Sequence, residues 1–228
     1  MTEDHEYETQ REAVDEATAQ RGLAIGILAG NTLTPRGDVV VPPYTVETLV
    51  ENHLPVYVER GLGQGAGLID LDYADAGAIL AADADKLYRS SDLLVCLRPL
   101  SIEEMPQLRD HQILITPVRS DEVTADHLSV LQLKSATALS LRMIRNVEGG
   151  ELLQDILLAD GGAQVSGDAL GDLLLSMIFP LVFNSRWQGA SRENPALFQA
   201  LYCYRGVLTR EEIASRLQLP FQQIGDLL

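Results

Sequence analysis

Short apolar runs alternate with helix-compatible stretches along most of the chain. Runs of strand length occupy 23–28, 56–59, 93–97 and 113–116, with a shorter one near 78–80. They are nearly continuous in Val, Ile and Leu, the texture of strands covered on both faces of a parallel sheet. Between them the sequence predicts a helix from Thr45 to about Asn52, another over 82–88, and one from Ser120 to near Lys134. A further strand is expected over 138–143. Residues 39–41 read as an edge strand, because Pro42 and Pro43 would stop a central ladder just beyond them. The alternation predicts an α/β fold: a parallel open sheet flanked by helices, of flavodoxin- or Rossmann-like topology.

Beyond Asn146 the chain reads as helical, interrupted at Gly149-Gly150 and again at Gly161-Gly162. A long helix is expected over 168–187, where Leu170, Leu173, Leu174, Met177, Ile178 and Leu181 make one apolar face. Asn194-Pro195 should open a short helix. Thr209 and Glu212 have the spacing of a capping box for a helix ending near Leu217. The chain thus divides into an acidic N-terminal extension over 1–21, helical from about 7 to 20, an α/β domain over 22–148, and a C-terminal helical appendage over 149–228.

Charge narrows the range of partners. With 33 acidic against 17 basic side chains the net charge is −16, which repels nucleic-acid phosphates and anionic membranes alike. No nucleic acid and no membrane partner is expected. The segment 209–228 has a helix-turn-helix look, but its second helix carries no Lys or Arg. The longest apolar run, 173–183, is too short to span a bilayer and contains Pro180. Cys96 and Cys203 stand far apart, without a CxxC or Cys/His cluster. They predict neither a disulfide framework nor a metal site, and fit a reducing cytoplasm.

Candidate chemistry is sparse. His5, His53, His111 and His127 are scattered without ligand spacing, and no GxSxG or SxxK motif marks a nucleophile. Gly61, Gly63, Gly65 and Gly67 follow a strand but lack the final spacing of a dinucleotide fingerprint, and acids come straight after them. They are read as a structural turn. No GxGxxG between a strand and a helix occurs elsewhere, so no cofactor-binding residues are assigned.

Two separated segments resemble one family. The first, from about Ala24 to Thr116, contains AIGI, VVVPPYTVETLVENHLPVYVERGLGQGAGLIDLDYADAGA, SSDLLVCLRPL and RDHQILITP. It is similar to the N-terminal substrate domain of alanine dehydrogenases, which is shared with the transhydrogenase alpha subunit. The second, from about Ala169 to Leu228, contains MIFPLV, Trp187 and ENPALFQALYCYRGVLTREEIASRLQLPF, and resembles the C-terminal helices that fold back on that domain. Between these parts the family inserts its NAD-binding domain. Here 146–168 offers some twenty residues, where a domain needs roughly 100.

The resemblance also implies where substrate groups belong. The family's substrate-gripping Arg position aligns with Asp38, with Arg36 two residues away. Its Lys position falls on or beside Arg98, and its His position on Arg119. Arg98 keeps a positive charge as a planar fork, whereas Arg119 cannot cycle a proton near neutral pH. No catalytic residue is therefore assigned, and Arg98, Arg119 and Arg36 are the candidate carboxylate-binding residues. The ordinary alternative pairs each arginine with a nearby acid such as Asp92, Glu103, Asp121 or Glu122.

The expectation is an alanine dehydrogenase-like substrate domain, not catalytic alone, that binds a 2-oxo or amino acid or a protein partner. The alternative is half of a split NAD-dependent alanine dehydrogenase, with NAD arriving only on a partner's domain. Homo-oligomerisation or partner binding is expected through the 168–187 helix.

Overall fold

The apolar runs become one eight-stranded sheet. Strands β1 (Ile25–Leu28), β2 (Val56–Glu59), β3 (Ile79–Ala81), β4 (Leu93–Cys96), β5 (Ile113–Thr116) and β6 (Thr137–Ser140) are parallel. Strands β7 (Leu201–Tyr204) and β8 (Val207–Leu208) continue it antiparallel, in the order β3-β2-β1-β4-β5-β6-β7-β8. The computed structural model describes residues 23–30, 40–159, 168–184 and 187–227. The expected N-terminal helix over 7–20, and Arg36 and Asp38, lie outside the described residues.

The helices, in chain order, are α1 (Pro43–Glu51), α2 (Asp70–Asp75), α3 (Ala84–Ser90), α4 (Ala125–Leu133) and α5 (Leu152–Ala159). They continue with α6 (Asp168–Phe183), α7 (Trp187–Glu193), α8 (Ala196–Ala200), α9 (Glu211–Leu217) and α10 (Ile224–Leu227). Because successive strand side chains point to opposite faces, the sheet feeds two separate cores. Ile25, Ile27, Leu93 and Val95 pack with α1, α5 and α6 on one side. Leu28, Leu94 and Cys96 pack with α3, α4 and α9 on the other. Both cysteines are buried free thiols.

The predicted apolar face of α6 is buried: Leu170, Leu173, Leu174, Met177, Ile178 and Leu181 are all at most 8% exposed. Its cover comes from this chain's own sheet and from α1. The helix ends at Phe183, short of Trp187, where Asn184 donates both its backbone N–H and its Nδ2 to the Pro180 carbonyl. Trp187 instead opens α7 and packs against Tyr204 of β7, with ring centroids 5.7 Å apart.

Several start signals act differently from their sequence reading. Pro42 is the N-cap of α1, with Pro43 at its first position, and Thr45 lies buried inside the helix. Val40 and Val41 form no strand; the Val41 carbonyl accepts from the buried Tyr73 hydroxyl at 2.9 Å. Helix α4 begins at Ala125, where Thr124 accepts from the His127 N–H, because the residues from Ser120 to Val123 form a turn bonded elsewhere. Strand β6 ends at Ser140 and continues as a 3-10 turn over Leu141–Met143.

The largest departure is the β7–β8 hairpin. The segment beyond Asn146 contains strands as well as helices, and Thr209 belongs to the hairpin instead of a capping box. Its N–H bonds the Tyr202 carbonyl, its hydroxyl reaches Leu201, and Arg210 is the N-cap of α9. Helix α10 has four residues, none basic, too short to lie along a DNA groove. No helix among the described residues is long and apolar enough to cross a membrane.

Helices α1 and α6 cross at Gly171, where an added Cβ would collide with Tyr44 Oη and Thr45 Oγ1. Tyr44 is fixed there by donating to the Asp168 carbonyl at 2.5 Å. Alanine at 171 would raise helix propensity by roughly 0.5–1 kcal/mol, but overpacking typically costs about 1–3 kcal/mol. Gly171→Ala is expected to lower the urea midpoint at an unchanged slope. A midpoint equal to or above the wild type would show the crossing to be looser than described.

Candidate functional site

Open α/β sheets bind ligands beyond the carboxyl ends of their strands, where the strand order reverses. Here that point lies between β1 and β4, because β1 leads outward to β2 and β3 before the chain returns to β4. The two chains leave the sheet close together: a Cβ built on Gly30 would lie 3.3 Å from Leu97 Cβ. Arg98 follows directly on the β4 side.

The Arg98 guanidinium makes a two-pronged bond to one carboxylate, with Nη1 donating to Glu104 Oε2 at 2.7 Å and Nη2 to Oε1 at 2.5 Å. Both side chains are about a quarter exposed, at 26% and 24%. Glu104 arrives there because the turn after Ser101 is closed by the Ser101 N–H donating to its carboxylate at 2.9 Å, and is anchored by buried Met105 and Leu108. The bond from Arg98 is the main cause that holds the Glu104 carboxyl down to about 2, and it raises the proton affinity of Arg98 in turn. The backbone of Arg98 is braced too, its carbonyl accepting from Thr116 Oγ1 at 3.0 Å.

Arg119 follows the neighbouring strand β5 and is half exposed, at 53%, in an ion pair with Asp121 at 3.0 Å. Its N–H donates to Glu122 at 2.8 Å. The loop that carries it is held by three hydrogen bonds from two residues. Ser140 Oγ donates to the Val118 carbonyl, and Arg216 of α9 donates to the carbonyls of Ser120 and Val123. No hydrogen bond or ion pair among the described residues joins Arg98 to Arg119. Arg36 lies outside the described residues. Each of the two described arginines therefore holds a local acid; for Arg98 that acid is Glu104, where the sequence pointed to Glu103.

Other polar groups gather at the same edge without having been singled out. Glu59 ends β2 and accepts the Ala29 N–H that follows β1, at 2.7 Å. Tyr88 is buried, its hydroxyl has no hydrogen-bond partner, and burial followed by the Glu104 charge pushes its proton affinity up. Burial likewise raises the Cys96 thiol to about 11, which keeps it protonated and inert at neutral pH. Arg142, beyond β6, pairs with Glu151 at 3.2 Å. The only sequence signal for Glu59 was an acid at the carboxyl end of an apolar strand.

In the glycine turn after β2 the Gly61 N–H donates to Asp70 at 2.7 Å, so a carboxylate already takes the amide that a phosphate would need. Gly61 and Gly67 have φ of +81° and +78°, which explains the glycines as turn formers. No group of three or more metal-ligating side chains occurs among the described residues. His53 and His111 occupy left-handed turn positions, with φ of 64° and 62°.

The model of the family described as alanine dehydrogenase/PNT, N-terminal domain, matches residues 38–155, more than half of the chain. An alanine dehydrogenase of Mycobacterium tuberculosis is 33% identical over 78 residues, 34% of this chain and 21% of that protein. One from Halomonas elongata is 30% identical over 112 residues, 49% of this chain and 30% of that protein. The chain thus matches less than a third of the length of these curated relatives. A solved L-alanine dehydrogenase aligns with a TM-score of 0.45 and 25% identity, over 55% of this chain and 34% of the other. A transhydrogenase from Sinorhizobium meliloti aligns with a TM-score of 0.46 and 20% identity, over 54% and 36%.

The Arg98–Glu104 pair has a signature in acid. The folded carboxyl is held near 2 against an ordinary value of 4.5, so its contribution to stability is fully present above about 4.5 and is lost as pH falls towards 2. Glu104→Gln is expected to be about 1–2 kcal/mol less stable at pH 7. It should also lose stability less steeply than the wild type between those two pH values in urea titrations. Parallel acid profiles for the two proteins would mean that the pair does not form in solution.

Proposed function

The chain belongs to the alanine dehydrogenase/PNT N-terminal domain family, and we propose that it binds a small carboxylate, a 2-oxo or amino acid, at Arg98 without transferring hydride by itself. The observation that carries this reading is the bidentate grip of Arg98 on Glu104. A planar guanidinium fork beside the switch point already holds a carboxylate, the group that a 2-oxo or amino acid would present. In this reading Glu104 stands in for the ligand and must be displaced by it.

The same groups argue against catalysis by this chain alone. Acid–base work on a 2-oxo acid needs a side chain that exchanges a proton near neutral pH, and arginine does not. Arg119 is further committed to Asp121, and its proton affinity is raised by that bond. Between β6 and α6 the described chain holds α5, and there is no length for a nucleotide-binding domain. A nucleotide-binding domain supplied by another chain is the split-dehydrogenase alternative.

Association, with a second copy or with such a partner, belongs to the outer side of α6, since its inner face is already covered. Leu175, Phe179 and Val182 are only partly buried there, Phe183 is 59% exposed, and the two phenylalanine rings stack at 5.6 Å.

Calorimetry with pyruvate, alanine and NADH tests the binding reading. Pyruvate or alanine should bind weakly to the wild type, about tenfold more tightly to Glu104→Gln, and not at all to Arg98→Ala, with no heat from NADH. If neither wild type nor Glu104→Gln binds either acid, or if Arg98→Ala binds as well as wild type, the carboxylate site is lost and an interaction role remains.

A further inference from the structure

The carboxyl edge of the sheet carries more arginine than the Arg98 site uses, and the surplus is unevenly neutralised. Arg98, Arg119 and Arg142 each hold a carboxylate. Arg145 and Arg210 do not, although the chain as a whole has a net charge of −16. No ion pair or hydrogen bond to the Arg145 guanidinium occurs among the described residues; only its backbone N–H is engaged, by Gln199 Oε1 at 2.7 Å. Arg210 spends its Nε on the Leu201 carbonyl at 3.0 Å, while its Nη2 is buried with no partner.

The fold brings these two cations together. Gln199 and Leu201 are two residues apart at the corner between α8 and β7, so the arginines converge there from the turn after β6 and from the start of α9. Burial lowers the proton affinity of Arg210, the Glu212 charge partly restores it, and the like charge of Arg145 lowers it again. A buried guanidinium nitrogen without an acceptor, beside a second cation, is costly unless an anion completes it. Next to Arg210 lies an open recess of about 420 Å³ lined by Arg210, Glu211, Glu212 and Ser215.

We propose that Arg145 and Arg210 form a binding site for a small oxyanion, phosphate-like or carboxylate, separate from the Arg98 site. The unpartnered Nη2 and the exposed Arg145 guanidinium supply the charge, and Ser215 lines the neighbouring recess. Glu211 and Glu212 line the recess and oppose any anion there, the more so the higher its charge, which favours one compact, weakly charged group.

The test is the thermal midpoint of the purified chain in a low-salt buffer without oxyanions, titrated separately with inorganic phosphate and with acetate. At least one of them should raise the midpoint saturably. In Arg145→Gln, whose exposed side chain supports no other described contact, the apparent affinity should fall about tenfold or more. In Arg98→Ala, which removes the proposed carboxylate site, a saturable response should persist, and that separates the two sites. A response to phosphate alone identifies a phosphate-type ligand, and a response to both identifies the shared oxyanion charge. The proposal is overturned if neither anion shifts the midpoint, if Arg145→Gln and Arg210→Gln both respond like wild type, or if the response disappears in Arg98→Ala.

Discussion

The pairing of β6 with β7 is the constraint on which the rest of the molecule depends. Ala138 opposite Cys203 and Leu139 opposite Leu201 join two parts of the chain some sixty residues apart into one sheet. Because β7 is antiparallel, it begins at the carboxyl edge of the parallel strands, and β8 returns to that edge. Helix α8 and the start of α9 are thereby delivered to the place where β4, β5 and β6 end. Arg216 can then hold the loop of Arg119, and Arg210 can reach Leu201. Without that pairing the segment from α8 onward would lose its backbone tie to the sheet.

This pairing is also what the sequence conceals. Strands β2 and β5 were legible to the residue, and β1 and β4 within two, because a buried parallel strand is an uninterrupted apolar run between turn residues. Strand β7 follows α8 with no break in apolar texture, and its hydrogen bonds lie on a strand far away in sequence, which no local pattern records. The start signals failed for a related reason. Thr45 and Thr209 are good N-cap residues in isolation, yet Thr45 is buried within α1 and Thr209 is taken by β7. Thr124 in α4 and Asp83 in α3 do cap through their own first turns, yet the sequence pointed to Ser120 as the start of α4 and singled out neither.

The site was legible in part. That Arg98 and Arg119 would stand just beyond adjacent strand ends follows from strand positions alone. Which carboxylate each would meet does not: Glu104 reaches Arg98 only because the Ser101 turn and the buried Met105 and Leu108 bend the chain back by six residues. Arg142, Arg145 and Arg210 were not legible at all as a group. They are separated by up to 68 positions, and only the β6–β7 pairing and the 3-10 turn after β6 bring them to one edge.

Charge at that edge is therefore organised, not diffuse. In water an exposed pair such as Arg119–Asp121 contributes little. Arg98 and Glu104 are about three-quarters covered and bonded twice, so their mutual attraction is less screened and their geometry is fixed. A carboxylate ligand at Arg98 would exchange one carboxylate for another, and its affinity would be set by the difference between two similar bonds. Selectivity would then rest on what Glu104 lacks: a second polar group on the ligand able to meet the unpartnered Tyr88 hydroxyl or the Glu59 carboxylate nearby. Under the proposed reading, arginine at 98 would supply grip while arginine at 119 would withhold proton exchange, so recognition and chemistry would part at two different positions.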